Sequence, residues 1–154
     1  MTWKPNVTVS AVVEENARFL LVEEEIRCQL QLNNPAGHLE PGESLVDAVI
    51  REVQEESARD FEPESISGIY LWRTASGDKT FLRVNFCGQA RHYNPTQALD
   101  TGIVRTLWLS RDEIAAEQAR LRSPLVLRCV DDYLNGKRYP LDALSHLPDG
   151  WPEE

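Results

Sequence analysis

The sequence is short of most features that would announce a specialised chain. Its three cysteines, Cys28, Cys87 and Cys129, are scattered and form no C-x-x-C pair. That argues against a disulfide framework and against a zinc site, leaving small buried hydrophobes as the expected role. No apolar run approaches the roughly 20 residues of a membrane span. The opening M-T-W-K-P-N-V-T-V lacks the basic-then-apolar build of a signal peptide, so a cytoplasmic protein is expected. There is no internal repeat, no low-complexity tract and no calcium loop of alternating Asp and Asn. Positive charge is scarce: 16 Lys and Arg stand against 25 Asp and Glu, for a net charge of -9. A DNA or RNA polymer wants a basic surface, so neither a nucleic-acid polymer nor a membrane is an expected partner. A small anionic substrate delivered with a metal ion stays compatible with such a chain.

What is present reads as one domain spanning residues 1–154, enough chain for a sizeable core. Val7, Val9 and Ala11 alternate with polar residues and predict a strand over 6–13. A polar turn over 14–18 leads to a strand over 19–22, and a short third strand is expected over 28–32. The Asn33 to Gly37 segment reads as a break in regular structure. A helix is expected from Ser44, with Asp47 three residues on as an N-cap pattern. Strands over 66–74 and 80–90 flank the turn Ser76-Gly77-Asp78 as a hairpin, and 103–109 is a further strand. Ser110 and Glu113 form a capping box for a short helix over 111–119. The last helix starts with Ser123 and Pro124 and stops at Gly136, and a proline-bearing tail wraps the surface, so 123–154 is the C-terminal helix and tail. Several strands without regular βαβ alternation suggest an α/β fold: a mixed β-sheet with helices on its faces.

One stretch stands out. Between Gly37 and Ser57 the chain packs six carboxylates: Glu40, Glu43, Asp47, Glu52, Glu55 and Glu56. On a helical wheel Leu45, Val46, Val49, Ile50 and Val53 gather into an apolar sector about 140° wide. Asp47, Arg51 and Gln54 fall opposite, toward water. Glu52 and Glu56, four apart, land at the edge of the apolar stripe with Glu55 beside them. The bland alternative is a solvated acidic edge with Arg51 paired to Glu55. The loop before the helix favours more: Gly37 and Gly42 permit close backbone approach, and Glu43 can fold back. A glycine loop feeding carboxylates at spacing four can line a cation site with oxygen, and Mg²⁺ takes a few carboxylates, water and substrate phosphate.

Gly37, Glu43 and Arg51-Glu52-Val53-Gln54-Glu55-Glu56 at these spacings resemble the Nudix box, G-x5-E-x7-R-E-U-x-E-E-x-G-U, in residues 37–58. Ala58 stands where the box closes on glycine, and Arg59 where it has an aliphatic. The loss of the glycine puts the helix end in question, with a helix running a little further toward Phe61. P-A-G-H-L-E (35–40), D-K-T (78–80), R-S-P-L-V (122–126) and G-K-R-Y-P-L (136–141) are similar to the NudJ-type phosphatases of that family. Leu32 departs from a tryptophan position of those proteins, which could shift specificity.

The resemblance implies a Nudix fold, an α/β/α sandwich around a mixed sheet. It implies a Mg²⁺-dependent (Mn²⁺ possible) pyrophosphohydrolase for nucleoside tri- and diphosphates and thiamine-related pyrophosphates. The alternatives are 8-oxo-nucleotide, ADP-ribose or dinucleotide polyphosphate substrates, or a module that binds nucleotides without catalysis. By position, Glu52 and Glu56 would be metal ligands and Glu55 a further ligand or the base. Arg51 would orient the glutamates, and Gly37 and Glu43 would shape the loop. Water would attack a metal-bound phosphate. Asp100 is a candidate carboxylate from another loop, with turn capping as the alternative. Trp72, Tyr70 and Phe86 are candidates to stack a base, or else core. Lys79, Arg83 and Arg122 are candidates for substrate phosphates, or else surface charges. His38 is read as a structural hydrogen-bonding residue, with catalysis as the alternative. The expected partner is a small pyrophosphate, and the chain is read as a monomer or homodimer.

Overall fold

A computed structural model describes residues 1–150 and 152–153. The alternating apolar residues after Pro5 build β1 (Asn6–Glu15), which turns through Asn16 and Ala17, both at positive φ, into β2 (Arg18–Ile26). A second two-residue turn, Arg27-Cys28, leads to β3 (Gln29–Asn33). Cys28 is therefore exposed, contrary to expectation, because a two-residue hairpin turn holds both side chains off the sheet. Cys87 and Cys129 are buried as expected. The Asn33–Gly37 segment is not wholly irregular either: β4 (Ala36–His38) pairs antiparallel with β1, opposite Thr8, Val9 and Ser10.

After α1 (Leu45–Ser57) come β5 (Asp60–Arg73) and β6 (Thr80–Arg91), joined by the expected hairpin. β5 starts earlier than its apolar run suggests, because β6 continues the ladder back to Asp60 opposite Arg91. β7 (Ile103–Leu109), α2 (Arg111–Ala116) and α3 (Leu125–Leu134) complete the elements. The Ser110/Glu113 capping box forms, and α2 gives way to a 3₁₀ turn at Gln118–Arg120. Ser123 Oγ accepts from the Leu125 N–H, and Gly136 at φ +81° closes α3, with the Lys137 N–H reaching Asp132 O.

The seven strands form two ladders, β4-β1-β6-β5 and β3-β2-β7, joined where β1 turns into β2. β1 and β6 run parallel and the other pairs antiparallel, so the sheet is mixed. One apolar cluster lies under α1, around Val9, Ala11, Val49, Val53, Ile66 and Phe86, with Leu141 and Leu144 of the tail packed on it. A second lies under α2 and α3, around Val12, Phe19, Leu21, Leu32, Ile114 and Val126. This is the mixed sheet with helices packed on both faces that was expected. No helix among the described residues is long and apolar enough to cross a membrane.

The end of α1 corrects an expectation. The helix does not run on; it stops at Ser57, and Ala58 takes the left-handed conformation at φ +54°, its N–H bonded to Gln54 O. An alanine there carries the Cβ strain that glycine avoids, of about 1 kcal/mol. Ala58→Gly is expected to raise the melting temperature by about 2–4 °C in scanning calorimetry, and a lower melting temperature would contradict this account. Arg59 also finds a use that the aliphatic it replaces would not. Its guanidinium lies 4.2 Å from the Tyr93 ring centroid and 5.6 Å from that of Trp108.

Candidate active site

The site is organised by Arg51, which does not point away from the core into water as the wheel placed it. Its guanidinium folds over the loop. Nε and Nη2 donate to the two oxygens of Glu43 at 3.0 and 2.7 Å, and Nη1 donates to Glu52 at 2.8 Å and Glu55 at 3.2 Å. Nη2 also reaches the His38 carbonyl at 3.1 Å. Glu43 in turn accepts the Glu40 N–H, which ties the loop to Arg51 through its carboxylate, and Arg51 holds that carboxyl below the usual range. Glu40 lies 3.6 Å from Arg51 as an outer, exposed partner. The i,i+4 pair with Glu55 thus exists, but as one strand of a network that ties α1 to the loop.

Glu52 and Glu56 are not merely at the border of the buried stripe. They are 7% and 6% exposed, among the buried residues of α1. Glu52 lies against Gly37 so closely that a Cβ on residue 37 would overlap its carboxyl group. That close approach is the reason for glycine at this position. Glu56 accepts the Ala36 N–H at 2.8 Å, satisfying a donor that β4 presents on its free edge. Burial pushes the Glu52 carboxyl up to about 7, despite the pull of Arg51, and Glu56 up to about 9, with the charges of Glu24, Glu52 and Asp100 adding to it. Glu55 is half-buried on Arg51. Among the described residues no three His, Cys, Asp or Glu side chains converge into a ready-made cage. The donor set suits a hard cation all the same: two buried carboxylates, each with one oxygen free of hydrogen bonds among the described residues, of which only Glu52 has a cationic partner, Arg51.

Glu56 and Gly37 open onto a cleft of about 510 Å³ between the two ladders. One wall carries Thr8, Phe81, Arg83 and Trp72; the facing wall carries Glu24, Gln29, Gln31 and Asn33; Lys79 and Arg122 are at its rim. Trp72 stacks on Phe81 with ring centroids 5.6 Å apart and planes 20° apart. The cleft therefore unites Trp72, Lys79, Arg83 and Arg122. The other two aromatic candidates are placed elsewhere: Phe86 is fully buried in the α1 cluster, and Tyr70 donates to Asp132 at 2.7 Å. His38 lines the cleft, and its carbonyl serves Arg51. Asp100 accepts the Thr101 N–H at 2.9 Å, the turn-capping alternative, while its own N–H bonds the Glu55 carbonyl. Leu32, the departure from tryptophan, is fully buried, but its carbonyl accepts the Arg122 N–H at 2.8 Å.

Sequence reasoning missed Thr8, Glu24, Gln31 and Asn33. Burial raises the Glu24 carboxyl, and Asn33 offers it a hydrogen bond. The one signal was the run Glu23-Glu24-Glu25 inside a strand. With side chains alternating, Glu24 must face opposite to its neighbours. Glu23 pairs with Arg105 and Arg120, and Glu24 turns into the cleft.

Comparison with known proteins gives concordant results. The family model for the NUDIX domain matches residues 4–128. Phosphatase NudJ of Escherichia coli K12 is 40% identical over 151 residues, 97% of this chain and 95% of that protein. A solved NUDIX hydrolase from Nitrosomonas europaea is 53% identical, covers 96% of this chain and 100% of its own, and superposes with a TM-score of 0.93. The NUDIX domain of Shewanella oneidensis NrtR, solved with ADP ribose, shares the fold at a TM-score of 0.69 and 15% identity, covering 88% of this chain and 90% of that one.

Proposed function

Starting from the fact that the chain belongs to the NUDIX family and is a hydrolase of pyrophosphate bonds, we propose that it is a Mg²⁺-dependent enzyme acting on nucleoside di- and triphosphates and on thiamine-related pyrophosphates. The observation that carries this reading is the position of Glu56 and of Gly37, against which Glu52 packs, in a cleft that also carries Lys79, Arg83 and Arg122. One end suits a metal ion, the other suits phosphate oxygens, and the acidic chain needs both to accept an anion.

Each group has a part. Glu52 and Glu56 would hold Mg²⁺, with Glu55 as a further ligand or as the base that would take the proton of the attacking water. When bound, such an ion would supply charge to neutralise phosphate oxygens and to acidify a water. Arg51 fixes the rotamers of Glu52 and Glu55, so little ordering is left for the moment of reaction. Lys79, Arg83 and Arg122 take phosphate oxygens, and the Trp72–Phe81 pair offers a flat apolar surface for a heterocycle.

The test is a phosphate-release panel with Mg²⁺, run with and without added pyrophosphatase. The substrates are nucleoside di- and triphosphates, hydroxymethylpyrimidine pyrophosphate, thiamine pyrophosphate, ADP-ribose and a dinucleotide polyphosphate. Orthophosphate from diphosphates without pyrophosphatase is expected. Turnover of triphosphates alone with pyrophosphate as product, or of ADP-ribose alone, would overturn the substrate assignment.

A further inference from the structure

Arg83 has an unusual environment for a charged group. It sits on β6, level with Thr8 of β1 and Tyr70 of β5, and is 8% exposed. Its one hydrogen bond among the described residues is a long one, Nε to Thr8 Oγ1 at 3.4 Å, and its buried Nη1 has no partner. No carboxylate among the described residues lies within ion-pair distance of it. Removing a guanidinium from water without a partner is costly. Other arginines of this chain avoid that cost: Arg51, Arg105, Arg111, Arg120 and Arg128 all grip carboxylates. Arg83 instead lines the cleft, with Arg122 and Lys79 at the rim and likewise outside ion-pair distance of any carboxylate among the described residues.

We infer that Arg83 is the specificity-determining residue of this hydrolase, and that it selects substrates ending in an unesterified terminal phosphoryl group over pyrophosphates capped on both sides. The inference rests on the pyrophosphohydrolase reading above. A buried unpaired guanidinium rewards the ligand group that brings the most unshared negative charge and accepts two parallel N–H bonds. A terminal phosphoryl has three free oxygens and up to two charges. A diester phosphoryl in a capped pyrophosphate has two oxygens and one charge. Distance is compatible as well. β6 is two strands from β4, so Arg83 begins about 10 Å across the sheet from the β4 edge that Glu56 bonds. Its side chain reaches back into the same cleft, and a pyrophosphate can bridge the carboxylate end and the guanidinium.

The experiment compares ADP with its β-methyl ester, in which one terminal oxygen and one charge are masked while the bond to be cut is the same. The parent is expected to prefer ADP in kcat/KM. In Arg83→Met the KM for ADP rises by roughly 10- to 150-fold, the effect of one lost charge-assisted bond, while the KM for the ester, which brings one charge where ADP brings two, rises by much less and the preference shrinks. Arg83→Lys restores part of it. A second readout separates this from simple damage: metal-free Arg83→Met melts at or above the parent temperature, since a buried unpaired charge has been removed, and inorganic phosphate at millimolar concentration raises the melting temperature of the parent but not of the variant. Equal losses on ADP and on the ester would overturn the inference while leaving the hydrolase reading intact, as would an unchanged preference in Arg83→Met. A parent that hydrolyses neither compound, nor any other pyrophosphate with Mg²⁺, would sink the hydrolase reading and this inference with it. A variant that melts well below the parent would show that the guanidinium is a structural support, against the inference.

Discussion

Glu56→Gln is expected to cut phosphate release with Mg²⁺ by at least about a hundredfold, equivalent to roughly 3 kcal/mol of transition-state stabilisation, while leaving the fold intact. Glutamine keeps the acceptor for the Ala36 N–H and removes only the charge and the anionic ligand. The same substitution has a signature in stability. A carboxyl whose pKa is raised by folding, here from 4.5 to about 9, helps the folded state fully only below about pH 4.5. That contribution is lost progressively as pH climbs toward 9, because ionisation then places an uncompensated charge on a buried group. Glu52, raised to about 7, adds to the loss over its lower part. The metal-free parent should therefore weaken between pH 5 and 9, and Glu56→Gln should weaken less and melt no lower than the parent at pH 8. Mg²⁺ at a hundred times its dissociation constant should restore about 2.7 kcal/mol to the parent. For a domain of this size that is about 5–10 °C. The shift should be larger at pH 8 than at pH 5.5 and close to absent in the variant. Near-normal turnover by Glu56→Gln would remove it from the metal site.

Arg51→Ala is the substitution expected to cost most in stability. It leaves Glu43, Glu52 and Glu55 facing one another around an empty position and frees the loop from the helix. Breaking one partner out of a largely buried ion network costs about 3–5 kcal/mol. The urea midpoint should fall accordingly with the m-value unchanged, and activity should fall with it because Glu52 loses its rotamer lock. Arg51→Lys should recover only part of either property, since one ammonium cannot serve Glu43 through two nitrogens while also reaching Glu52 and Glu55. A midpoint within about 0.5 kcal/mol of the parent, the scatter of ordinary surface changes, would reduce Arg51 to a surface charge.

What was legible in the chain was what is local. Capping residues, two-residue periodicity in strands and the spacing of the box glutamates each act over a few residues, so Ser44, the Ser76–Asp78 turn and the shared helix face of Glu52 and Glu56 could be read without a structure, though not how deeply that pair is buried. What escaped depends on partners far along the chain. A wheel sends Arg51 toward water, because it cannot know that the Gly37–Glu43 loop folds back to receive it. Nothing near Ala58 says that an alanine will accept a left-handed conformation; the Asn94 N–H on its carbonyl and the packing of Phe61 help to hold the chain there. Nothing near Arg59 announces two aromatic rings brought from residues 93 and 108. The second wall of the cleft, Glu24, Gln31 and Asn33, comes from a hairpin with no motif of its own and gains its place only when the ladders close.

The central claim, that hydrolysis runs on a divalent cation held by Glu52 and Glu56, is tested most directly by calorimetric titration of the metal-free protein with Mn²⁺ at pH 7.5, in two buffers of different ionisation enthalpy. With the Glu56 carboxyl near 9 it still carries its proton at that pH, so binding must expel it. The account predicts about one proton released per cation by the parent, and weaker binding without that release in Glu56→Gln. Equal affinity in the two proteins, with no buffer dependence in either, would contradict it.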